Sequence, residues 1–156
     1  MDTTLIILKP DTVQRALVGR IVSRFEDKGF QIVGAKLMRI APDLAERHYQ
    51  DHKGKPFYDG LVRFMTSQPV VVLALRGNQA VEVARKMMGA TFGSNAEPGT
   101  IRGDFGLSRS FNLIHGSDSP ESAQRELKLF FKDDEILSYE RTTDQWVYDM
   151  SGPTPE

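Results

Sequence analysis

Eight residues, Asn112 to Ser119, bring a short apolar run up to a histidine and follow it at once with a glycine: Asn-Leu-Ile-His-Gly-Ser-Asp-Ser. An imidazole near neutral pH serves as nucleophile, base or metal ligand, and its neighbours decide which. Here Asn112, Ser117 and Asp118 surround His115 where packing alone favours apolar side chains. Ser119-Pro120-Glu121 then reads as a helix start: a serine N-cap, proline at the first helical position, an acid in the first turn. Asp118 is the alternative cap, with Glu121 as its capping-box partner. Under either choice the histidine ends a strand and faces the positive end of a helix. Free backbone N–H groups and the helix dipole make that a place where anions collect.

An anion site needs cations, and in this chain they must be local. The formal net charge is −1 over 156 residues, so no global positive field marks nucleic acid or an anionic membrane as a partner. Lys9 ends the first apolar run. Arg85 lies late in a helical stretch, and Arg102 lies in a long glycine-rich stretch with Thr91 near its start. There is no cysteine, which excludes disulfides, thiol catalysis and thiolate metal sites. His48 and His52 have the spacing of a helical zinc pair, but the glutamate that should follow the first histidine is missing, so no metal held by protein side chains is expected. The apolar run in Met1–Leu8 is too short for a signal peptide, and no window approaches the ~18 apolar residues that span a bilayer. A cytoplasmic protein is expected.

The elements that position these groups follow from periodicity. Thr3–Leu8 is a buried strand, and Leu17 to Phe25 carries one apolar helical face that Gly29 stops. Residues 30–40 are extended. Two short helices, around Asp43–Gln50 and Tyr58–Met65, follow, then the near-continuous apolar strand Val70–Leu75 and a helix over Gln79–Met88. Residues 90–111 show no periodicity, and a loop of that length is expected to be functional or disordered. A strand then carries His115, and a helix runs to about Phe131. Without the helical insertion this is β-α-β-β-α-β, an α+β, ferredoxin-like sheet with helices on its faces and a C-terminal extension. One domain over residues 1–150 and a flexible tail over 151–156 are expected.

The run at Asn112–Asp118 resembles the active-site signature of nucleoside diphosphate kinases, Asn-x-x-His-Gly-Ser-Asp, matched at Asn112, His115, Gly116, Ser117 and Asp118. The likeness extends from about Thr4 to Tyr148. It implies an enzyme that moves the γ-phosphate of a nucleoside triphosphate to a nucleoside diphosphate through a phosphohistidine at His115, by a ping-pong mechanism. On that resemblance Glu126 and Ser117 orient the imidazole, and Lys9 reaches the ribose hydroxyls and terminal phosphates. Asn112 binds the sugar, while Arg85, Thr91 and Arg102 are phosphate ligands. Tyr49 and His52 lie near the phosphates, and Phe57 is the aromatic on which the base stacks. Arg102 is expected to act on phosphates without being needed for the fold.

Magnesium is expected to arrive on the nucleotide phosphates, since no carboxylate cluster looks like an all-protein site. Stacking on one ring implies broad base tolerance. The resemblance also implies a homo-oligomer, built from a common dimer into hexamers or tetramers, and the long C-terminal tail favours the hexamer. Two positions depart from the family pattern. Phe92-Gly93 stands where Asn-Pro is usual, which could loosen the loop and weaken a subunit contact, and Arg109 stands where an apolar residue borders the base. The rival reading is a nucleotide- or RNA-binding module without catalysis, because Arg102-Gly103-Asp104-Phe105-Gly106 echoes an RNA-binding octamer with Asp104 in an aromatic's place. Asp104-Phe105-Gly106 also mimics a protein-kinase tripeptide, but the chain is far too short for that fold.

Overall fold

The computed structural model describes residues 1–156. Four strands form one antiparallel sheet: β1 (Asp2–Leu8), β2 (Gln31–Met38), β3 (Val70–Gly77) and β4 (Ile114–Gly116), in the spatial order β2-β3-β1-β4. That order is the ferredoxin-like one, with each βαβ unit split by a strand of the other.

Both faces of the sheet are covered, and β1 shows how. Ile6 and Leu8 pack into one cluster, Leu5 and Ile7 into the other, because successive side chains leave opposite faces. The first cluster is closed by α2 (Val18–Lys28) and α5 (Ala80–Met88), through Ile21, Phe25, Ala84 and Met88. Ile21 and Phe25 have no exposed surface, a contribution of about 1.5–3 kcal/mol each. Gly29 ends α2 in the left-handed conformation at φ 109°, as expected of the glycine after its apolar stripe. The second cluster is closed by α3 (Pro42–His48), α4 (Tyr58–Ser67) and α7 (Pro120–Phe130), through Leu44, Ala45, Met65 and Phe130. The helical insertion therefore roofs one face of the sheet.

Two stretches differ from the sequence expectation. Lys9 ends the first apolar run, as expected, but the residues after it start a short helix, α1 (Pro10–Gln14), with proline at its first turn and Asp11 after it. The long stretch at 90–111 is not structureless. It holds a 3₁₀ turn at Gly93–Asn95 and a short helix, α6 (Ile101–Phe105), whose N-cap Thr100 accepts from the Gly103 N–H. α6 is tied down because Asp104 accepts from Gly99 N and pairs with Arg24 on α2 at 2.5 Å. Gly93 is needed for this packing: a Cβ there would run into the Gly106 carbonyl. The glycine that was expected to loosen the loop lets two backbones close on each other.

The C-terminal extension runs back along β2. Leu137 N donates to Val33 O, and Arg141 donates to the carbonyls of Gly29 and Phe30. A last short helix, α8 (Asp144–Val147), follows. Residues 151–156 turn back, with Asp149 and Glu156 exchanging backbone hydrogen bonds and Asn78 donating to Pro155 O. No helix is long and apolar enough to cross a membrane.

Candidate active site

β4 is only three residues long, and its register decides where each side chain goes. His115 pairs with Ile7, and Ile114 and Gly116 pair with Leu8 and Ile6. Directly opposed residues share a face, so His115 looks toward α3, α4 and α7 while Gly116 looks toward α5. A Cβ at Gly116 would sit 2.6 Å from the Met88 sulfur, so glycine lets α5 approach this strand.

The residue before the strand is held in an unusual shape. Leu113 has φ 74°, left-handed for a buried, branched side chain. Three groups of the β1–α1 corner hold it there. Its N–H donates to Asp11 Oδ2 at 3.1 Å, and its carbonyl accepts from Lys9 N at 2.8 Å and Thr12 Oγ1 at 2.6 Å. Such strain costs of order 1–3 kcal/mol and persists where the surroundings over-determine it. Burial raises the Asp11 carboxyl above its ordinary range, opposed by the backbone N–H groups of Asp11 and Leu113.

His115 Nε2 lies 2.7 Å from Glu126 Oε1, and Ser117 Oγ donates to the same oxygen at 3.2 Å. Glu126 is almost wholly buried on α7. The helix is capped by Ser119, whose Oγ accepts from Ser122 N at 3.1 Å. Asp118, the alternative cap, is held below its usual range first by a hydrogen bond from the Ser122 side chain. The imidazole thus meets the body of α7, at Glu126, rather than the N–H groups of its first turn. With Nε2 facing a carboxylate, the ring proton belongs on Nε2 and the lone pair on Nδ1. Nδ1 makes no hydrogen bond, and His115 lines a cavity of about 550 Å³.

That cavity gathers Lys9, Tyr49, His52, Phe57, Arg85, Thr91, Arg102, Asn112 and His115, with Ser117 and Glu126 behind the histidine. Lys9 Nζ donates to Asn112 Oδ1 at 2.8 Å, and Asn112 Nδ2 donates to Thr91 O at 2.9 Å. Burial first, then the Arg102 charge, lowers Lys9 to about 8, against the opposing pull of Asp11. Arg102, lowered to about 10 by burial and by Arg85, donates to three backbone carbonyls: Asn112 at 3.2 Å, Gly89 at 3.1 Å and Ile114 at 2.7 Å. Arg102 thus ties α6 and the end of α5 to the histidine strand, a structural role beside the phosphate-binding one expected of it. Arg85 Nη1 donates to Gly116 O at 3.1 Å. Tyr49 is buried with an unpartnered hydroxyl, and burial raises its phenol.

At the mouth, Phe57 is 53% exposed and His52 meets its ring edge at 5.4 Å. Phe64 and Phe111 stack at 4.6 Å, and the Arg109 guanidinium lies 4.4 Å over Phe92. All five residues besides Phe57 line the same cavity.

A family model described as nucleoside diphosphate kinase matches residues 2–136. The chain belongs to the nucleoside diphosphate kinase family. It is an enzyme that transfers phosphate between nucleotides, the activity of that family. The nucleoside diphosphate kinase of Carboxydothermus hydrogenoformans is 58% identical over 149 residues, 96% of this chain and all of that protein. That of Desulforamulus reducens is 54% identical over the same length. Among solved structures, the Halobacterium salinarum nucleoside diphosphate kinase in complex with CDP superposes with a TM-score of 0.92 at 49% identity, covering 94% of this chain and 98% of that one.

The octamer look-alike at Arg102–Gly106 is helical at Ile101–Phe105, not a strand offering aromatic rings, which removes its likeness to an RNA-binding sheet. Sequence reasoning missed Asp11, Thr12 and His48. Pro10-Asp11 was a usable helix-start signal, and Asp11 and Thr12 follow from it. His48 carried no signal beyond its spacing to His52, which the structure does not use: His48 turns inward beside His115 while His52 lines the cavity.

Proposed function

We propose that His115 Nδ1 is the nucleophile that carries the phosphoryl group between two nucleotides. The observation that carries this reading is the Glu126 carboxylate 2.7 Å from Nε2, which leaves the other nitrogen free on a histidine lining the cavity. In the first half-reaction the Nδ1 lone pair attacks the γ-phosphorus in line. The N–P bond forms, the bond to the bridging oxygen breaks, and the diphosphate leaves with that electron pair. The Nε2 proton stays on the ring, where Glu126 balances the positive charge that develops. The second half-reaction runs the same steps backward onto another nucleoside diphosphate.

Lys9, Arg85 and Arg102 would neutralise the phosphate oxygens, with the unpartnered Tyr49 hydroxyl as a further donor and Thr91 and His52 beside them. Asn112 and Lys9, bonded to each other here, would open toward the sugar. Phe57 would stack on the base. The CDP bound to the Halobacterium relative fits a site that takes bases by their faces. The cavity lining holds cations and no carboxylate, so Mg²⁺ would be held mainly by the phosphates it accompanies. Its contribution would be to offset their charge. Leu137, Trp146, Val147 and Met150 leave apolar surface exposed on the C-terminal extension. That favours a homo-oligomer, and we retain the hexamer over the tetramer and the cytoplasm as its location.

The test is a two-step labelling. Protein mixed with γ-labelled ATP alone becomes a phosphoprotein that is acid-labile and base-stable, and GDP discharges it as labelled GTP. Steady-state double-reciprocal lines run parallel. His115→Ala folds and takes up no label. Label on that variant, or intersecting lines in the parent, would move the nucleophile elsewhere or show direct transfer between two bound nucleotides.

A further inference from the structure

His48 is 6% exposed, and neither of its ring nitrogens has a hydrogen-bond partner. Buried polar atoms are rarely left so, and the phosphoryl-transfer scheme uses neither nitrogen. Its ring stands edge-on to His115, with centroids 4.8 Å apart and planes at 82°. One donor atom from each of His48, His115 and Glu126 lies within 4.8 Å of the other two. This group opens on a second cavity, of about 350 Å³, on the α3–α7 side of the histidine.

We propose that His48, His115 and Glu126 form a binding site for a borderline-soft divalent transition ion such as Zn²⁺, and that its occupancy blocks phosphoryl transfer by capturing the nucleophile. The donor chemistry selects the class of ion. Two imidazoles and a carboxylate suit Zn²⁺ or Co²⁺, whereas Mg²⁺ wants an octahedron of oxygens. Tetrahedral ligands around zinc stand roughly 3.3 Å apart, so the three donors draw together by up to about 1.5 Å. The fourth position is left to water from the cavity. Charge permits entry, because Asp51, Asp118 and Glu126 line that cavity against Arg85 and Arg125. Coordination of either His115 nitrogen is sufficient to inhibit: it occupies Nδ1 directly, or it breaks the Glu126 bond that sets the tautomer. Binding stands on geometry alone, and only the inhibition rests on the phosphohistidine reading.

The experiment uses the full nucleotide-free chain, with Co²⁺ as the probe in buffer holding excess Mg²⁺. The visible absorption of tetrahedral cobalt should saturate at one ion per chain and be displaced by Zn²⁺. His48→Gln should weaken the affinity by at least about tenfold. Zn²⁺ should suppress labelling of the parent from ATP, and the same suppression of His48→Gln, relative to its own metal-free level, should need at least about tenfold more free Zn²⁺. If circular dichroism shows His48→Gln unfolded, His48→Phe keeps a ring against Phe130, 5.1 Å away, and removes the donors. Unsaturable cobalt absorption, or equal affinity in the His48 variant, overturns the site. Saturated metal with undiminished labelling overturns the inhibition. A parent that takes up no label without metal defeats the phosphohistidine reading instead, and leaves the binding result standing.

Discussion

At the end of the cavity proposed for the phosphates, Lys9, Arg102, Asn112 and Glu126 are buried and already hydrogen-bonded to the strand that carries His115 or to its neighbours. At the end proposed for the base, Phe57 stands 53% exposed, and the surrounding contacts are rings on rings or a guanidinium on a ring. The difference follows from what each end must do. In-line transfer needs the imidazole and cations fixed before the nucleotide arrives, since misplacement by an ångström is costly. A stacking surface needs only a flat apolar face. It can stay outside the core because every base offers a π-face.

If that contrast holds, the largest effects come from the fixed end. Glu126→Gln puts an amide against Nε2, and an amide that donates there turns the tautomer over, leaving the lone pair on the wrong nitrogen. The rate of phosphoenzyme formation should fall by about 10²–10⁴-fold with little change in nucleotide affinity. Rapid-quench labelling measures it, and a loss in affinity alone would mean Glu126 shapes the pocket instead. Arg102→Gln comes next. It strands carbonyls of Gly89, Asn112 and Ile114 and should lower stability by roughly 2–4 kcal/mol by chemical denaturation, besides harming turnover. An unchanged melt would return Arg102 to a purely phosphate-binding role.

The base end should respond less and evenly. Phe57→Ala should weaken nucleotide binding by roughly 1–3 kcal/mol for adenine, guanine and cytosine alike, by calorimetry. A loss confined to one base would mean hydrogen-bonded readout and would dissolve the contrast. The smallest expected effect is a pH dependence from Lys9. Its folded value of about 8 lies below 10.5, so the free protein loses this charge as pH rises through 8. Diphosphate affinity is full below that pH and should fall above it, by at most about tenfold per pH unit. Between 8 and 10.5 the unfolded chain binds the extra proton, so this group makes the nucleotide-free fold more stable as pH rises. Lys9→Met should flatten both profiles.

The sequence was most legible where periodicity is long. Val18–Lys28, Val70–Gly77 and Ala80–Met88 each follow their apolar pattern to within a residue or two. It was least legible where tertiary bonds make the structure. Within 90–111 the local signal for α6 is little more than the cap at Thr100, and the helix also depends on Arg24 reaching Asp104 and on Gly93 meeting the Gly106 backbone. The resemblance named the groups lining the cavity, but it left the roles of their hydrogen bonds open. That Arg102 spends its donors on carbonyls, that Leu113 is held at a positive φ, and that His48 faces His115 are facts of packing between segments far apart in the chain.

The central claim is that Glu126 holds Nε2 and leaves Nδ1 to receive the phosphate. The most direct measurement is the ³¹P and ¹H–¹⁵N spectrum of the phosphoprotein formed from ATP with ¹⁵N-labelled imidazoles, which reports which histidine and which nitrogen bears phosphorus. A single phosphorylated ring is expected, at His115 Nδ1, with the Nε2 proton retained. Phosphorus on Nε2, or on any other residue, would contradict it.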